Sequence, residues 1–336
     1  METVLSVHGD QNILFHSTKS HCLTRQLIGF NDEIVDAIFL SPEAHPPTAS
    51  SDSHLVLATN SSLIRIYSVA SLDAQLLSGH SDIVLCLDRC VRRNLFASGS
   101  KDNSARIWTL FDGPVGHARW GCVALCEGHA GSVGALSMSR LASDRGAHAR
   151  FLLTGSQDRT IKMWDLSGFS LTWNERPFKC HTLATLKAHE KDINSLDIAP
   201  TDQLLASGSQ DRTANIYEIS YRPGSNGRAA YGELKLLGTC KGHKRGVWSV
   251  KFGKTERVLA TGSGDKTVKL WNIEDFTCVQ TFEGHSNSVL RVDFINHGVQ
   301  LVSSGSDGLV KLWNVREGEC AATLDNHEDK VSHVCH

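Results

Sequence analysis

The chain has 336 residues, of which 40% are hydrophobic and 21% are charged, which is the composition of an ordinary globular protein. Its 34 Lys and Arg residues nearly balance its 36 Asp and Glu residues, so the net charge of −2 excludes a globally basic nucleic-acid binder. No apolar run reaches the roughly 20 residues of a membrane-spanning helix, and residues 1–14 lack the apolar stretch of a signal peptide. We therefore expect a cytosolic or nuclear protein, free of membrane contacts, whose 10 cysteines are reduced.

The chain opens with two groups of predicted strands, in which apolar and polar residues alternate. The first group has strands at 3–9, 12–15 and 22–27, and the second group covers residues 32–78. Both groups are irregular versions of the pattern that follows them. His16 replaces an aromatic residue that the later groups share, whereas the second group keeps Tyr67 but has Leu57 and Ser61 in place of a Ser/Thr and an Asp.

From residue 80 onward, one sequence pattern recurs five times. Each copy has a His near its start, then a Ser or Thr, an Asp four residues later, and an aromatic residue six positions after the Asp. The four residues of the successive copies are His80, Ser98, Asp102 and Trp108; His129, Thr154, Asp158 and Trp164; His189, Ser207, Asp211 and Tyr217; His243, Thr261, Asp265 and Trp271; and His285, Ser303, Asp307 and Trp313. The Asp is expected in a tight turn between the second and third of four strands.

These four residues are predicted to form a hydrogen-bond network inside each group of strands. The Asp can accept from backbone N–H groups and from the His ring, the His can reach the hydroxyl, and the hydroxyl can accept from the indole N–H. Each buried polar group then has a partner, which matters because an unpaired one costs about 1–3 kcal/mol. His, Ser and Asp also occur together in hydrolase active sites. A network present in five copies is nevertheless expected to be structural, since an enzyme needs only one site.

A Gly-His start and a Trp-Asp end that lies about 40–45 residues later resemble the WD-repeat superfamily. The resemblance implies an all-β fold, a seven-bladed WD40 β-propeller with four-stranded antiparallel blades. We expect one domain over residues 1–336, in which residues 329–336 supply the first strand of the blade that residues 1–28 complete, so that both chain ends close one blade. The blades are expected at about 1–28 plus 329–336, 32–78, 80–127, 129–187, 189–241, 243–283 and 285–325.

Motifs for other chemistry were sought along the whole chain. The Gly-Lys-Thr at 253–255 lacks the Gly that a phosphate-binding loop requires five residues earlier. The cysteine pairs at 86/90 and 122/126 have a spacing that suits metal ligands, but cysteines recur at fixed distances from the repeat His and are predicted to pack within strands. We therefore expect no catalytic residue, no metal, no cofactor and no small-molecule substrate.

Insertions are predicted at 41–54, 111–121, 140–150, 167–181 and 220–233, as loops on one face of the propeller. In the middle of the chain they are basic, and Trp120, Trp173, Tyr221 and Tyr231 are interleaved. Two interpretations remain open: ordinary solvated loops, or a surface for phosphate groups or an acidic partner. The basic residues are Arg89, Arg92, Arg93, Arg119, Arg140, Arg145, Arg150, Arg176, Lys179, Arg222 and Arg228.

Five positions beside the predicted turns are the candidates for partner contacts. Arg159, Arg212 and Lys266 directly follow the turn Asp, whereas Arg245 and Trp248 follow a Gly-His. Arg and Trp are favoured as anchors of protein interfaces. Ordinary exposed positions would show the same residues, so this alternative also stays open.

Several segments go beyond the general repeat, for example KDINSLDIAP at 191–200. They lie at 79–88, 191–214, 281–294, 301–313 and 324–331. These segments resemble the second propeller of the transducin beta-like protein 3 family, whose members belong to the small-subunit processome of the nucleolus. The resemblance implies a non-catalytic scaffold that supports pre-rRNA processing and 18S rRNA maturation in ribosome biogenesis. The implied partners are other processome proteins and, directly or through them, the box C/D small nucleolar ribonucleoprotein and pre-rRNA.

That family carries another propeller before the matching one and a helical tail after it. Neither is recognisable in these 336 residues, so we expect a fragment, a shortened isoform or a partial gene model.

Three other functions were weighed against the scaffold. A WD40 substrate adaptor of a cullin-RING ubiquitin ligase would use a Trp-Asp-x-Arg motif, which residues 313–316 approach but with Asn314 in place of the Asp. A signalling propeller of the Gβ type would carry an N-terminal coiled coil, and no heptad pattern precedes the first blade. A propeller hydrolase with an axial metal would need His or carboxylate residues outside the repeat pattern, and we find no such set.

Overall fold

Short runs in which apolar and polar residues alternate fold into β-strands joined by tight turns. The computed structural model describes residues 3–8, 13–17, 22–27, 33–40, 54–69, 71, 73–90, 95–112, 118–143, 146–168, 176–224, 228–255, 257–325 and 330–335. Within these residues the only helical element is a 3-10 turn, Asn296–Gly298. No helix among the described residues is long and apolar enough to cross a bilayer.

The chain divides into two compact units. One unit comprises Met1–Ala37, His189–Glu218 and Leu236–His336, and the other comprises Ile38–Ala188 and Ile219–Lys235.

The two irregular groups at the start of the chain each belong to a four-stranded sheet. The first seven strands are β1 (Thr3–His8), β2 (Ile13–Ser17), β3 (Leu23–Leu27), β4 (Ile34–Leu40), β5 (His54–Thr59), β6 (Ile64–Ser68) and β7 (Ala74–Leu77). Strands β4 to β7 form one sheet in chain order. Strands β1 to β3 form another, whose fourth member is the last strand of the chain, β31 (Val331–Cys335), antiparallel to β1.

The next two repeats form one five-stranded and one four-stranded sheet. Their strands are β8 (Val84–Arg89), β9 (Leu95–Ser100), β10 (Ser104–Asp112), β11 (Ala118–Glu127), β12 (Val133–Met138), β13 (Ala142–Ser143), β14 (Gly146–Ala149), β15 (Phe151–Ser156), β16 (Thr160–Asp165), β17 (Phe178–Lys179) and β18 (Thr182–Lys187). The sheet orders are β17-β11-β10-β9-β8 and β12-β15-β16-β18, while β13 and β14 form a separate hairpin. The short strand β17 is parallel to β11 and comes from the insertion at 167–181.

The last three repeats each form a four-stranded sheet in chain order. Their strands are β19 (Ile193–Ile198), β20 (Leu204–Ser209), β21 (Thr213–Arg222), β22 (Tyr231–Lys241), β23 (Val247–Phe252), β24 (Val258–Ser263), β25 (Thr267–Asn272), β26 (Cys278–Glu283), β27 (Val289–Ile295), β28 (Gln300–Gly305), β29 (Val310–Asn314) and β30 (Cys320–Leu324). The predicted all-β class and the four-stranded antiparallel sheets are thereby confirmed.

The insertions differ from the expected loops. Strands β10 and β11 stay paired as far as Asp112 and Ala118, and β21 ends only at Arg222, so most residues of 111–121 and part of 220–233 are strand. A longer hairpin pairs backbone N–H and C=O groups that a loop would leave to water. The insertion at 41–54 lies almost wholly outside the described residues.

Glycines on second strands allow consecutive sheets to pack closely. A Cβ atom on Gly208 of β20 would lie 2.8 Å from a methyl group of Val247, and one on Gly262 of β24 would lie 2.9 Å from a methyl group of Val289. Both distances are well below an ordinary carbon contact of about 3.5–4.0 Å. The first strand of each following sheet therefore packs against a second strand that has no side chain at this point.

Candidate functional site

The sheet of β8 to β11 contains a complete network of the kind described above. His80 Nδ1 lies 2.8 Å from an Asp102 carboxylate oxygen, and His80 Nε2 lies 2.8 Å from the Ser98 hydroxyl. The Trp108 indole N–H donates to the same hydroxyl at 2.8 Å. All these groups are buried or partly buried inside the sheet.

The protonation of the network follows from its acceptors. A carboxylate only accepts, so Nδ1 of His80 carries the proton toward Asp102. Nε2 is then an acceptor for the Ser98 O–H, and a lone pair of the Ser98 oxygen is left for the Trp108 N–H. Each donor therefore has one acceptor when the imidazole is neutral, and the Ser98 hydroxyl at the centre of the network is fully buried.

Three further sheets repeat this arrangement with little variation. The His–Asp, His–hydroxyl and indole–hydroxyl distances are 2.8, 2.8 and 2.8 Å for His129, Asp158, Thr154 and Trp164; 2.9, 2.7 and 2.8 Å for His243, Asp265, Thr261 and Trp271; and 2.9, 2.8 and 2.7 Å for His285, Asp307, Ser303 and Trp313. The structure thus brings together each of these sets of sequence-selected residues.

The sheet of β19 to β22 uses Tyr217 where the others have Trp. His189 keeps its contacts, at 2.8 Å to Asp211 and 2.7 Å to Ser207. The buried Tyr217 hydroxyl hydrogen-bonds Ser207, and it accepts from the Asn215 amide at 3.1 Å. Burial raises the pKa of Tyr217, so its hydroxyl stays protonated and can donate as an indole does.

The turn Asp residues join each turn to the segment that precedes the first strand. Asp158 accepts from the backbone N–H of Ala130 at 2.9 Å and from Thr160 through both its N–H, at 2.9 Å, and its hydroxyl, at 2.6 Å. Burial alone would raise the pKa of Asp158, but the hydrogen bonds from Thr160, Ala130 and His129 outweigh it and lower the pKa to about 2. The carboxylate is therefore ionised at any physiological pH.

Burial also changes the titration of two network histidines. It lowers the pKa of His129 and of His285, against the opposing effects of Asp158 and Asp307. Both rings are therefore neutral at pH 7, so that Nδ1 can donate to the Asp while Nε2 accepts from the hydroxyl.

The structure adds a set of first-strand residues that the sequence reasoning missed. Asp88 accepts from the backbone N–H of Met138 at 2.8 Å, and Asp197 accepts from that of Phe252 at 2.8 Å, in each case from the next sheet along the chain. Lys251 lies 3.3 Å from Asp197. A sequence signal existed, because Asp88 and Asp197 each stand eight residues after a repeat His. These carboxylates bind consecutive sheets to one another.

The two N-terminal sheets lack the complete network. Leu57 is fully buried at the hydroxyl position, and the Ser61 hydroxyl accepts only from the nearby Leu63 N–H, at 3.2 Å, among the bonds that the structure describes. His16 is 1% exposed, and burial lowers its pKa. Neither ring nitrogen of His16 has a hydrogen-bond partner among the described residues.

Three of the five candidate contact residues occupy the tip of the turn after the Asp. Arg159, Arg212 and Lys266 have exposed side chains and positive φ angles of 68, 76 and 74°. The same position holds Asn103 and Gly308 in two other sheets. A left-handed backbone disfavours most side chains by roughly 1–2 kcal/mol, so these basic residues stand where Gly or Asn would be more stable.

Trp248 and Arg245 lie next to such turns. A Cβ atom on Gly264 would be 3.1 Å from the Trp248 indole nitrogen and 3.4 Å from Arg245 Cβ. Gly246 packs against the preceding turn, because a Cβ atom on Gly246 would lie 3.2 Å from the Gln210 Cα. The segment 244–248 therefore lies between the turns that carry Arg212 and Lys266.

The aromatic residues of the insertions differ in exposure, since Tyr231 is 44% exposed whereas Trp120 is buried. Trp120 is 3% exposed and packs edge-on against His54, with ring centroids 5.5 Å apart, and against Phe96 at 5.6 Å. The expectation of a loop aromatic at this position is wrong, because the extended β10–β11 hairpin turns Trp120 into the core. Trp173 lies outside the described residues.

Several of the basic residues selected from the sequence bind groups of the chain itself. Arg140 forms an ion pair with Asp88 at 3.2 Å, Lys179 forms one with Glu127 at 2.9 Å, and Arg89 donates to the Phe39 carbonyl at 2.7 Å. The Arg150 guanidinium lies over the Tyr221 ring at 5.7 Å. Cations that are engaged in this way are less available to a partner, which favours the solvated-loop interpretation. Arg92, Arg93 and Arg145 lie outside the described residues.

The described residues contain no group of three or more His, Cys, Asp or Glu side chains that could hold a metal ion. The prediction that recurring cysteines pack within strands is correct for Cys126 and Cys240, which are buried. It is wrong for Cys278 and Cys320, which are exposed, because each begins the outermost strand of its sheet.

Comparison with known proteins places this geometry in a family. The profile of the family described as WD domain, G-beta repeat matches residues 73–109, 120–165, 180–218, 234–272 and 276–314. Transducin beta-like protein 3 is 44% identical in Mus musculus, over 75% of this chain and 28% of that protein. In Homo sapiens it is 45% identical, over 74% of the chain and 28% of that protein.

A yeast relative is more distant. U3 small nucleolar RNA-associated protein 13 of Saccharomyces cerevisiae is 35% identical, over 68% of the chain and 26% of that protein. The chain thus spans little more than a quarter of the length of these relatives. The sequence repeats, the four-stranded antiparallel sheets and the family profile all indicate the same family. The chain belongs to the WD domain, G-beta repeat family of all-β propellers and is similar to transducin beta-like protein 3.

Proposed function

We propose that the chain is a non-catalytic scaffold of the nucleolar small-subunit processome, which supports pre-rRNA processing and 18S rRNA maturation. The similarity to transducin beta-like protein 3 over three quarters of the chain is the observation that carries this proposal. The name of the yeast relative associates that protein with U3 small nucleolar RNA. The fivefold network supports a scaffold rather than an enzyme, because its His, hydroxyl and Asp groups are used up in holding turns. These relatives favour the scaffold over the ubiquitin-ligase adaptor.

We propose further that the sheets form one seven-bladed ring over residues 1–336, with blade boundaries as predicted from the sequence. Six sheets have four strands, and a seventh has a fifth strand added at its outer edge. The pairing of β31 with β1, for example Leu5 opposite Cys335, is the contact that would close such a ring from both chain ends. Closure leaves no unpaired edge between the first and last blades.

Within one unit, five residues form a surface that we name the basic turn surface: Arg212, Lys244, Arg245, Trp248 and Lys266. All five side chains are exposed, and Trp248 is 37% exposed although Trp is usually buried. In the part of the chain that the structure describes, none of the four cations forms an ion pair. The surface therefore combines free positive charge with one large apolar side chain.

This composition suits an acidic segment of a neighbouring processome protein. Carboxylates of such a segment would pair with the cations at the rim, and an apolar residue would cover the Trp248 ring. Contact with the box C/D ribonucleoprotein and pre-rRNA would then be made directly or through these proteins. Arg159 lies in the equivalent turn of the β12–β18 sheet and is a separate candidate contact.

The proposal is tested by affinity purification of the tagged chain from growing cells, with mass spectrometry and RNA sequencing of what co-purifies. Processome proteins together with pre-rRNA are expected. Recovery of cullin-ligase subunits, or of neither set, would contradict the proposed function.

A double variant, Arg245→Glu with Trp248→Ala, tests the basic turn surface in the same experiment. It is expected to lower recovery of at least one processome protein tenfold or more while the melting temperature stays within a few degrees. Lys254→Glu is the matched control, since Lys254 is exposed on the same sheet but lies in the turn at the opposite end of β23 and β24. Equal losses for both variants would argue against a local contact at this surface.

A further inference from the structure

A short strand from the insertion at 167–181 pairs with part of the outer edge of the β8–β11 sheet. Strand β17 runs parallel to β11, with Ala124 opposite Phe178 and Leu125 opposite Lys179. The backbone N–H of Cys180 continues this ladder by donating to the Leu125 carbonyl at 2.8 Å. One step further along the same register, Cys126 stands opposite Cys180.

The register places both cysteine side chains on the same face of the sheet. Residues opposite each other on neighbouring parallel strands are about 4.7–4.9 Å apart, and the Cα atoms of a disulfide are usually 4.4–6.8 Å apart. Cys126 is 1% exposed and Cys180 is 6% exposed, and both belong to one apolar cluster. The backbone is therefore already arranged for a bond between these two sulfur atoms.

The two thiols also lie in one buried apolar cluster. Burial raises the pKa of Cys126 well above its usual value, and the neighbouring Cys180 thiol raises it further. Cys86 and Cys90 lie in the same cluster, but they belong to another strand and its following turn. Among the cysteines whose side chains the structure describes, all of which are free thiols, only this pair combines adjacent register on neighbouring strands with burial in one cluster.

We propose that Cys126 and Cys180 form a dithiol site that a small disulfide, oxidised glutathione, converts into a disulfide bond between β11 and β17. The site goes beyond the scaffold function and does not depend on it. Oxidation would attach the inserted segment covalently to the sheet edge, and an excess of reduced glutathione would release it.

The reaction balances as two thiol–disulfide exchanges. The Cys180 thiolate attacks one sulfur of oxidised glutathione, which forms a mixed disulfide and expels one glutathione thiolate. Cys126 then attacks the Cys180 sulfur and expels the second glutathione thiolate, which takes up the Cys126 proton. The protein loses two protons and two electrons, and one oxidised glutathione becomes two reduced ones.

Cys180 reacts first because it directly follows β17, the strand with the fewest paired residues in this sheet. The ladder between β17 and β11 has only two residue pairs, besides the Cys180 N–H bond to Leu125 and the exposed Lys179–Glu127 ion pair. Local opening that exposes Cys180 therefore breaks few interactions. Cys126 lies in the longer β11, which is paired with β10 along its whole length, and it becomes accessible only to a partner already bound beside it.

The full chain, folded and without denaturant, is incubated in glutathione buffers from fully reduced to fully oxidised and digested with trypsin after the free thiols are blocked. A link between the peptides 120–140 and 180–187 is expected, assigned by fragmentation to Cys126 and Cys180, together with at least tenfold slower exchange of the Cys180 amide hydrogen. Both changes are expected to reverse in excess reduced glutathione.

Variants separate this site from other cysteines. Cys180→Ser is expected to abolish the link, whereas Cys122→Ser and Cys86→Ser are expected to leave it unchanged. A link between Cys122 and Cys126 instead, glutathione adducts without a link, or a Cys126–Cys180 link that forms only after denaturation would each overturn the proposal.

Discussion

Two kinds of sheet in this chain share the four-stranded arrangement but differ in their interiors. From β8 onward each repeat buries a His, a hydroxyl, an Asp and an aromatic residue that bond to one another. The β4–β7 sheet instead has the fully buried Leu57 at the hydroxyl position. Replacing all partners of a buried polar network by apolar groups can be nearly neutral, whereas removing one partner is costly. A four-stranded sheet therefore forms without the network, but once the network is present every member is needed.

The network has a further effect on the turns. Asp265 joins the Lys244 N–H before the first strand, at 2.8 Å, to the Thr267 N–H after the turn, at 3.1 Å. Ser61, its counterpart in the β4–β7 sheet, accepts with its hydroxyl from Leu63, two residues away, and with its backbone carbonyl from the Val84 N–H of β8 at 3.1 Å. In the network sheets the turn side chain itself therefore bonds a second segment of chain, which stabilises the turns that carry surface residues such as Lys266.

The largest expected contrast concerns the aromatic position. Trp271→Ala should destabilise the protein by about 3–5 kcal/mol, because it removes a 1% exposed side chain and leaves the Thr261 hydroxyl without its donor. Tyr67→Ala in the β4–β7 sheet should cost less than half as much, since Tyr67 is only partly buried. Urea unfolding of the two variants checks this, and equal losses would remove the distinction between the two kinds of sheet.

Loss of the turn carboxylate should have the next largest effect. Asp265→Ala leaves the His243 ring and two backbone N–H groups without their acceptor, so we expect a loss of about 3 kcal/mol. Hydrogen exchange should quicken mainly within residues 243–283. Ser61→Ala is the matched control and should change stability by less than about 1 kcal/mol. An unchanged unfolding free energy for Asp265→Ala would mean that the network does not stabilise its blade.

Acid should destabilise the network sheets before it affects their carboxylates. Burial lowers the pKa of His129 and His285 in the folded protein. In the unfolded chain the pKa of His is about 6.5, so below pH 6.5 the unfolded chain binds protons that the folded chain does not. Stability is therefore complete above pH 6.5 and falls as the pH drops, by at most about 1.4 kcal/mol per pH unit for each His.

A second loss should follow only at extreme acidity. The folded pKa of Asp158 is about 2, below an unfolded value of about 3.9, so its contribution is present above pH 3.9 and disappears as the pH falls toward 2. Urea midpoints between pH 7.5 and 3 measure both effects. A stability that does not change between pH 7 and 5 would show that the two histidines are not buried as described.

The smallest expected effect lies at the turn tips, where the network sheets differ among themselves. Lys266→Gly should raise stability by up to about 1 kcal/mol, because Gly adopts the φ of 74° without strain. Gly308→Lys, at the equivalent φ of 79°, should lower stability by a similar amount. Thermal unfolding checks the pair, and a loss of partner binding by Lys266→Gly despite higher stability would mark that position as functional.

Much of the fold was predictable because its signals are local. The alternation that makes Leu204 to Ser209 a strand, and the turn that contains Asp211, depend on neighbours within one repeat. Burial of Trp120 was not predictable in the same way, since its partners His54 and Phe96 belong to other strands. Among the candidate contacts, the exposure of Trp248 was expected from its place beside a predicted turn, although most Trp residues of the repeats are buried.

The repeat, the four-stranded units and the residues of the polar network could be read from the sequence, since each is encoded within about 40 residues of chain. The pairing of β31 with β1 was also expected from the sequence. Which other groups meet across repeats, such as Asp197 with the Phe252 N–H and β17 with β11, became evident only from the packed fold. The physical reason is that these contacts depend on how one sheet packs against the next and on strand register. Both follow from close packing of side chains and pairing of backbone groups between segments that are distant in the chain.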